Sequence, residues 1–214
     1  RHCRRDGSAG RMIVVMDPAE GSPGSASAVL EGDLAAWISQ WQEYLRHWAC
    51  SGQLSQAARV ALNLPAPHDG LDRFVATIAA GDFTGLPPII PLDWDAMEGS
   101  ACAYAPARGL IFINHKWLET AVAEQVAAVL TEQLGHHLDV LFNAVDTLGD
   151  EGEIFLECLR SGDPSADTIG LFRSEEPAGV VHLPGENLAV EEAGVGAFCL
   201  DLRDLPHPSE PQQP

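Results

Sequence analysis

Apolar residues at Val126, Val129, Leu130, Leu134, Leu138 and Leu141 recur at helical spacing and leave one narrow polar stripe between them. At 100° per residue, Glu132, His136, Asp139 and Asn143 stand at i, i+4, i+7 and i+11, within roughly 60° of one another. The pattern predicts a mostly buried helix over residues 124–143, with two carboxylates and an imidazole aligned on one face. Gly135 falls in its interior, where glycine costs about 1 kcal/mol relative to alanine. A glycine there predicts the close approach of another backbone or of a ligand.

A second stripe, Trp37, Trp41, Tyr44, Leu45 and Trp48, predicts a helix over residues 33–49 with Asp33 as its N-cap. Such a face suits a core; three tryptophans on one helix also suit a docking surface. Shorter helices are expected over residues 54–64, 71–80 (ending at Gly81), 116–121 and 153–160, the last stopped by Gly162-Asp163-Pro164. Residues 168–172 read as short helix or irregular chain. The proline-rich segment 86–92 reads as an edge strand or loop, because three prolines lack donors for a central ladder.

Residues 100–104 and 110–114 form one expected hairpin, with Ile111 and Ile113 on one face and Phe112 and Asn114 on the other. Residues 180–183 and 187–191, joined through Pro184-Gly185-Glu186, form a second. The expected organisation is a flexible segment over residues 1–30, a single α+β domain over 31–200 and a disordered tail over 201–214. Met12 to Met16 could add a short strand to a sheet edge. Within the domain, helices pack on a small mixed or antiparallel sheet.

Composition narrows the partners. The 214-residue chain is 46% hydrophobic, enough for a sizeable core, and has no apolar run of membrane-spanning length. Its opening apolar piece is too short for a signal peptide. The formal net charge of −19 argues against nucleic acid and anionic membranes, and favours cationic peptides or metal ions. Five scattered cysteines with no C-x-x-C pair suit free thiols in a reducing cytoplasm.

The residues that could carry chemistry centre on the polar stripe and on the acidic turn Asp146-Thr147-Leu148-Gly149-Asp150-Glu151-Gly152. If a metal binds, Glu132, His136, Asp139 and Asp150 are the expected ligands, with Asp146 or Glu151 as further candidates. One imidazole among carboxylates suits calcium or magnesium better than zinc. The competing expectation is that Asp146, Asp150 and Glu151 cap the next helix and bond the turn backbone, with no metal or other cofactor. His137 points about 100° from His136 and reads as a packing residue; His115, after the second strand of the first hairpin, is a further candidate. No nucleophile elbow and no phosphate loop occurs.

The run "VLTEQLGHHLD" resembles the active helix of zinc metallopeptidases, V-L-x-H-E-x-G-H. In that motif two histidines hold zinc and the intervening glutamate activates water. Gly135 and His136 match; Glu132 stands at the first histidine and Gln133 at the general base, which a neutral amide cannot replace. A longer resemblance covers residues 53–193. It is to a domain of large bacterial, often cyanobacterial, proteins carrying calcium-binding repeats, whose motifs run "GDF..LPPI", "AYAP...IFIN", "EE.GH..D...N..DT.GDEG..F" and a late "D..V.L.G....VE". Here they read Gly81-Asp82-Phe83 with Leu86-Pro87-Pro88-Ile89, then Ala103-Tyr104-Ala105 with Ile111-Phe112-Ile113-Asn114. The stripe helix follows, then Asp146 to Phe155, and Val190-Glu191 closes the series.

These resemblances imply a degenerate metallopeptidase-like scaffold that binds a peptide without cleaving it. A basic peptide is expected along the edge of strand 100–104 or 110–114, facing Ile111, Ile113 and the stripe Glu132, His136, Asp139 and Asn143. Such a protein could guide a precursor peptide to a partner tailoring enzyme. The alternatives are an active metal-dependent peptidase with an atypical Glu/His/Asp site and a calcium-binding structural module. No second histidine lies at helical spacing from His136 on the same face, so no stoichiometric transition metal is expected.

Overall fold

The computed structural model describes the backbone over residues 25–193 and the side chains over 32–193. The tail over 201–214, residues 1–24 of the expected flexible segment, and the extra strand at Met12 to Met16 lie outside that range. Among the described residues, seven α-helices and a five-stranded mixed sheet make an α+β fold.

The tryptophan stripe lies on α1 (Ser25–Ser51), which begins upstream of the expected cap. Asp33 is thus an exposed residue inside the helix, which already includes residues 25–30. Trp41, Tyr44, Leu45 and Trp48 are buried and Trp37 packs against the same core, so this face is core and not a docking surface. Trp41 is fully buried and its indole N–H donates to Thr131 Oγ1 at 3.0 Å, giving its one polar atom a partner. α2 (Gln53–Ala61) and α3 (Asp69–Ala79) follow. Gly81, with φ of 78°, ends the latter as its position predicts.

Next come β1 (Ile89–Leu92), a 3-10 turn (Trp94–Met97), β2 (Cys102–Ala105) and β3 (Leu110–Asn114). After α4 (His115–Leu118), α5 (Ala123–Phe142), α6 (Glu151–Ser161) and α7 (Ala166–Phe172), the chain returns as the hairpin β4 (Ala178–Leu183) and β5 (Glu186–Ala193). The sheet order is β1-β3-β2-β5-β4, with β1 parallel to β3 and the other neighbours antiparallel. Both hairpins stand as alternation and turn residues predict. One face of the sheet, with Cys102, Tyr104, Ile111, Ile113 and Ala193, joins the helical core. The other, with Ala103, Phe112, Val181, Leu188 and Val190, packs around Met97.

α5 runs through the middle, and residues Val126 through Asp139 are all buried. Leu141, expected in its apolar arc, is instead half exposed, because the helix has left the core by its last turn. α6 crosses α5 at a glycine pair. A Cβ on Gly135 would lie 2.7 Å from the Gly152 Cα and 3.1 Å from the Phe155 Cβ. The helix-interior glycine therefore permits a backbone-to-backbone crossing that no larger residue allows.

Gly135→Ala should accordingly lower stability by about 1–3 kcal/mol despite alanine's better helix propensity, because the obstructing atoms belong to backbone and to a Cβ. Gly32→Ala, on α1 with nothing within 4 Å, should be neutral or stabilising. Urea denaturation of the two variants checks the contrast, and equal effects would refute the close-crossing account.

Candidate metal centre

The crossing brings the polar stripe of α5 against the N-terminus of α6. Asp150 is the N-cap of α6 and accepts from the Glu153 N–H at 2.7 Å, the capping role expected of the acidic turn. One helical step on, Glu151 is buried and meets His136: the imidazole Nδ1–H donates to Glu151 Oε1 at 2.8 Å. Glu191 Oε2, on β5, lies 2.9 Å from the same nitrogen. One N–H cannot serve both carboxylates in full, and Glu191 Oε2 is left buried without a hydrogen-bond partner.

The far side of the ring is more telling. His136 is fully buried, yet its Nε2 has no hydrogen-bond partner and stands 3.7 Å from Asp150 Oδ1. Ligand atoms of Glu132, His136 and Asp150 all lie within 4.8 Å of one another. Gly152 keeps the space beside them open, since a Cβ there would come within 2.6 Å of the Glu132 carbonyl oxygen and also meet Nε2.

Three of the four expected ligands thus converge, and Asp139 does not join them. Asp139 accepts from the Thr147 N–H at 3.0 Å, from the Thr147 hydroxyl and from Asn143 Nδ2 at 2.7 Å. Asn143 also donates to the Leu62 carbonyl at 3.0 Å. This end of the stripe pins the loop after α5 to α5 itself and to α2. Ile111 and Ile113, expected to face a peptide, are fully buried in the helical core. β2 and β3, expected to offer an edge, lie inside the sheet, because β1 pairs with β3 and β5 with β2. His137 is a packing residue as expected, its Nδ1 3.0 Å from the Tyr104 hydroxyl. His115 opens α4 and belongs to none of the candidate ligand groups among the described residues.

Sequence reasoning missed Glu191, Glu153 and Glu175. Alternation along β5 carries the first signal: Leu188 and Val190 face Met97, which turns Glu191 inward toward α5. Glu175 has no comparable signal. The four overlapping ligand groups hold eight carboxylates (Glu132, Asp139, Asp146, Asp150, Glu151, Glu153, Glu175, Glu191) and a single imidazole. Arg173, the nearby guanidinium, is bonded to the carbonyls of Leu148, Val60 and Ala61.

Burial, and after it crowding of like charge, shifts several of these groups. Burial, then Asp150, raises Glu132 well above the usual carboxylate range. Glu153 is pushed to about 7 by burial, Asp150 and Glu175. Asp146 rises to about 6 through burial, Glu151 and Glu191. Burial alone would lower His136, but the Glu151 and Glu191 carboxylates beside its Nδ1 carry it well above 6.5. Gln133, where the resemblance places the catalytic base, is fully buried with neither amide atom hydrogen-bonded.

Carboxylates raised on folding bind protons that the unfolded chain has released, so stability falls as pH rises through their folded values. His136, also raised, loses its contribution in the same direction. His137, lowered by burial, acts oppositely but only below its unfolded value of about 6.5. In chelator, the melting temperature should therefore fall between pH 6.5 and about 8, and Glu153→Gln should flatten the fall. A melting temperature that is constant or rising across this window would contradict the assigned crowding.

Compared with known proteins, the chain matches no family model, no curated protein and no solved structure.

Proposed function

We propose that this domain binds one divalent cation through Glu132, His136 and Asp150, on a metallopeptidase-like scaffold that has lost its hydrolytic base. The observation that carries the reading is the His136 Nε2 atom, fully buried, unpartnered and flanked by two carboxylates. Buried polar atoms without partners are rare in native proteins, and an ion is one of the few species that satisfies an imidazole nitrogen and two carboxylates together. The other ring nitrogen supports the same reading, since metal-ligating histidines commonly donate their second N–H to a carboxylate. Here Glu151 accepts that bond and holds the Nδ1 proton, so the proton that cation binding displaces is the one on Nε2.

Chemistry of the donor set favours an oxygen-preferring cation. Two carboxylates and one imidazole, with Glu191, Glu153 and Glu175 adding negative charge nearby, suit Mg2+, Mn2+ or Ca2+ better than a tetrahedral zinc site rich in nitrogen or sulfur. A bound cation would offset charge repulsion that His136 alone leaves uncompensated. Gln133 cannot take a proton from water at neutral pH, which speaks for holding rather than hydrolysing. The ion's place at the α5–α6 crossing makes it a clamp on the fold.

Ligands must shed protons to bind, so affinity should rise with pH and binding should release protons. Isothermal titration with Ca2+, Mg2+, Mn2+ and Zn2+ in two buffers of different protonation enthalpy tests this directly. A cation present at about 100 times its Kd should stabilise the protein by roughly 2.7 kcal/mol. Glu132→Gln and Asp150→Asn should each abolish that gain. The reading fails if no divalent ion raises the melting temperature, or if both variants respond as the native protein does.

A further inference from the structure

Exposed hydrophobics are unevenly placed on this protein. Of nine large hydrophobic side chains exposed among the described residues, six are Val60, Val140, Leu141, Val145, Leu148 and Leu171. They are carried by the end of α2, the last turn of α5, the loop over residues 143–150 and the end of α7. Hydrogen bonds hold these segments together. Arg173 reaches from the end of α7 to the carbonyls of Leu148, Val60 and Ala61, the Asp150 N–H donates to the Phe172 carbonyl at 2.9 Å, and Asn143 donates to Leu62. Gly149 lies so close against Arg173 that a side chain there has no room.

Val145 and Leu148 are 81% and 80% exposed on a loop that is not loose. Between them Thr147 is buried and bonded to Asp139 through both its N–H and its hydroxyl. Two apolar side chains presented outward by a pinned loop, with four more on the adjoining helix ends, form a patch rather than a scatter of single residues. Its surroundings are acidic: Asp146 sits between the two loop residues, and Glu175 and Glu176 follow the end of α7, all exposed. The basic group at the centre, Arg173, has its guanidinium committed to three carbonyls.

We propose that this patch docks a cationic amphipathic peptide segment, whose apolar side chains cover Val145, Leu148 and Leu171 and whose Lys or Arg side chains meet Asp146, Glu175 and Glu176. Charge complementarity selects this occupant: a net charge of −19 repels a second copy of the same acidic chain and attracts a basic segment. Docking here needs no open strand edge, and none of Glu132, His136 and Asp150, the residues that would hold the cation, is among its contacts.

The experiment uses two labelled peptides of equal length and charge, one alternating Lys with Leu and one alternating Lys with Ser, plus a Glu/Leu peptide, read by fluorescence anisotropy with chelator present. The Lys/Leu peptide should bind at least tenfold tighter than the Lys/Ser peptide, and the Glu/Leu peptide should not bind. The double variant V145S/L148S, which keeps the net charge and alters only exposed side chains, should weaken Lys/Leu binding at least tenfold and leave Lys/Ser binding unchanged. Leu171→Ser should weaken it in the same sense, independently of the loop. Equal binding by native and double-variant protein would overturn the proposal, as would equal binding of the Lys/Leu and Lys/Ser peptides. Self-association by light scattering that V145S/L148S abolishes, without peptide binding, would assign the patch to a second copy and also overturn it.

Discussion

The structure depends on one crossing. α5 and α6 approach until a Cβ on Gly135 would meet the Gly152 Cα, and that contact drives a stripe of ionisable side chains into the interior. Taking charges out of water costs several kcal/mol per ion unless they are paired. Glu132, Asp150 and Glu151 are buried at the crossing with one imidazole to share. Around this constraint the remaining polar contacts fall into place. Asp150 caps α6, Asp139 and Asn143 pin the loop that leads to it, and Glu151 orients His136.

Most of the architecture was legible because it follows from local rules. Alternation with Gly- and Pro-containing turns located both hairpins, and helical spacing located α5 and its stripe. Gly135 was legible as a close approach because glycine is costly there without one. The start of α1 was not, since Asp33 resembles an N-cap and nothing in the preceding small-residue run signals that the helix has already begun at Ser25. Prolines in residues 86–92 marked β1 as an edge strand, which it is, but the neighbours of the first hairpin were not legible. β1 adds parallel to β3 from one side and β5 adds to β2 from the far end of the chain, a non-local pairing order that closes both edges of the first hairpin.

The site divided in the same way. Helical geometry placed Glu132 and His136 together, and the acidic turn supplied Asp150. Asp139 shares the stripe, but side chains seven residues apart on a helix lie about two turns along the axis, and the Asp139 carboxylate is taken up by Thr147 and Asn143. Alternation along β5 turns Glu191 inward, but its meeting with His136 depends on the non-local pairing of β5 with β2. Peptide binding along the first hairpin loses its footing once Ile111 and Ile113 are found in the core. The apolar loop residues Val145 and Leu148 offer a different surface, on the far side of the same pinned turn.

The central claim is that His136 Nε2, Glu132 and Asp150 share a cation, and crystals grown with Mn2+ test it most directly. The account predicts an anomalous difference peak about 2.0–2.4 Å from Nε2 and from one oxygen of each carboxylate, with His136 Nδ1 still bonded to Glu151. A map at saturating Mn2+ with no peak between these three side chains, and with Nε2 hydrogen-bonded to a protein group, would contradict it.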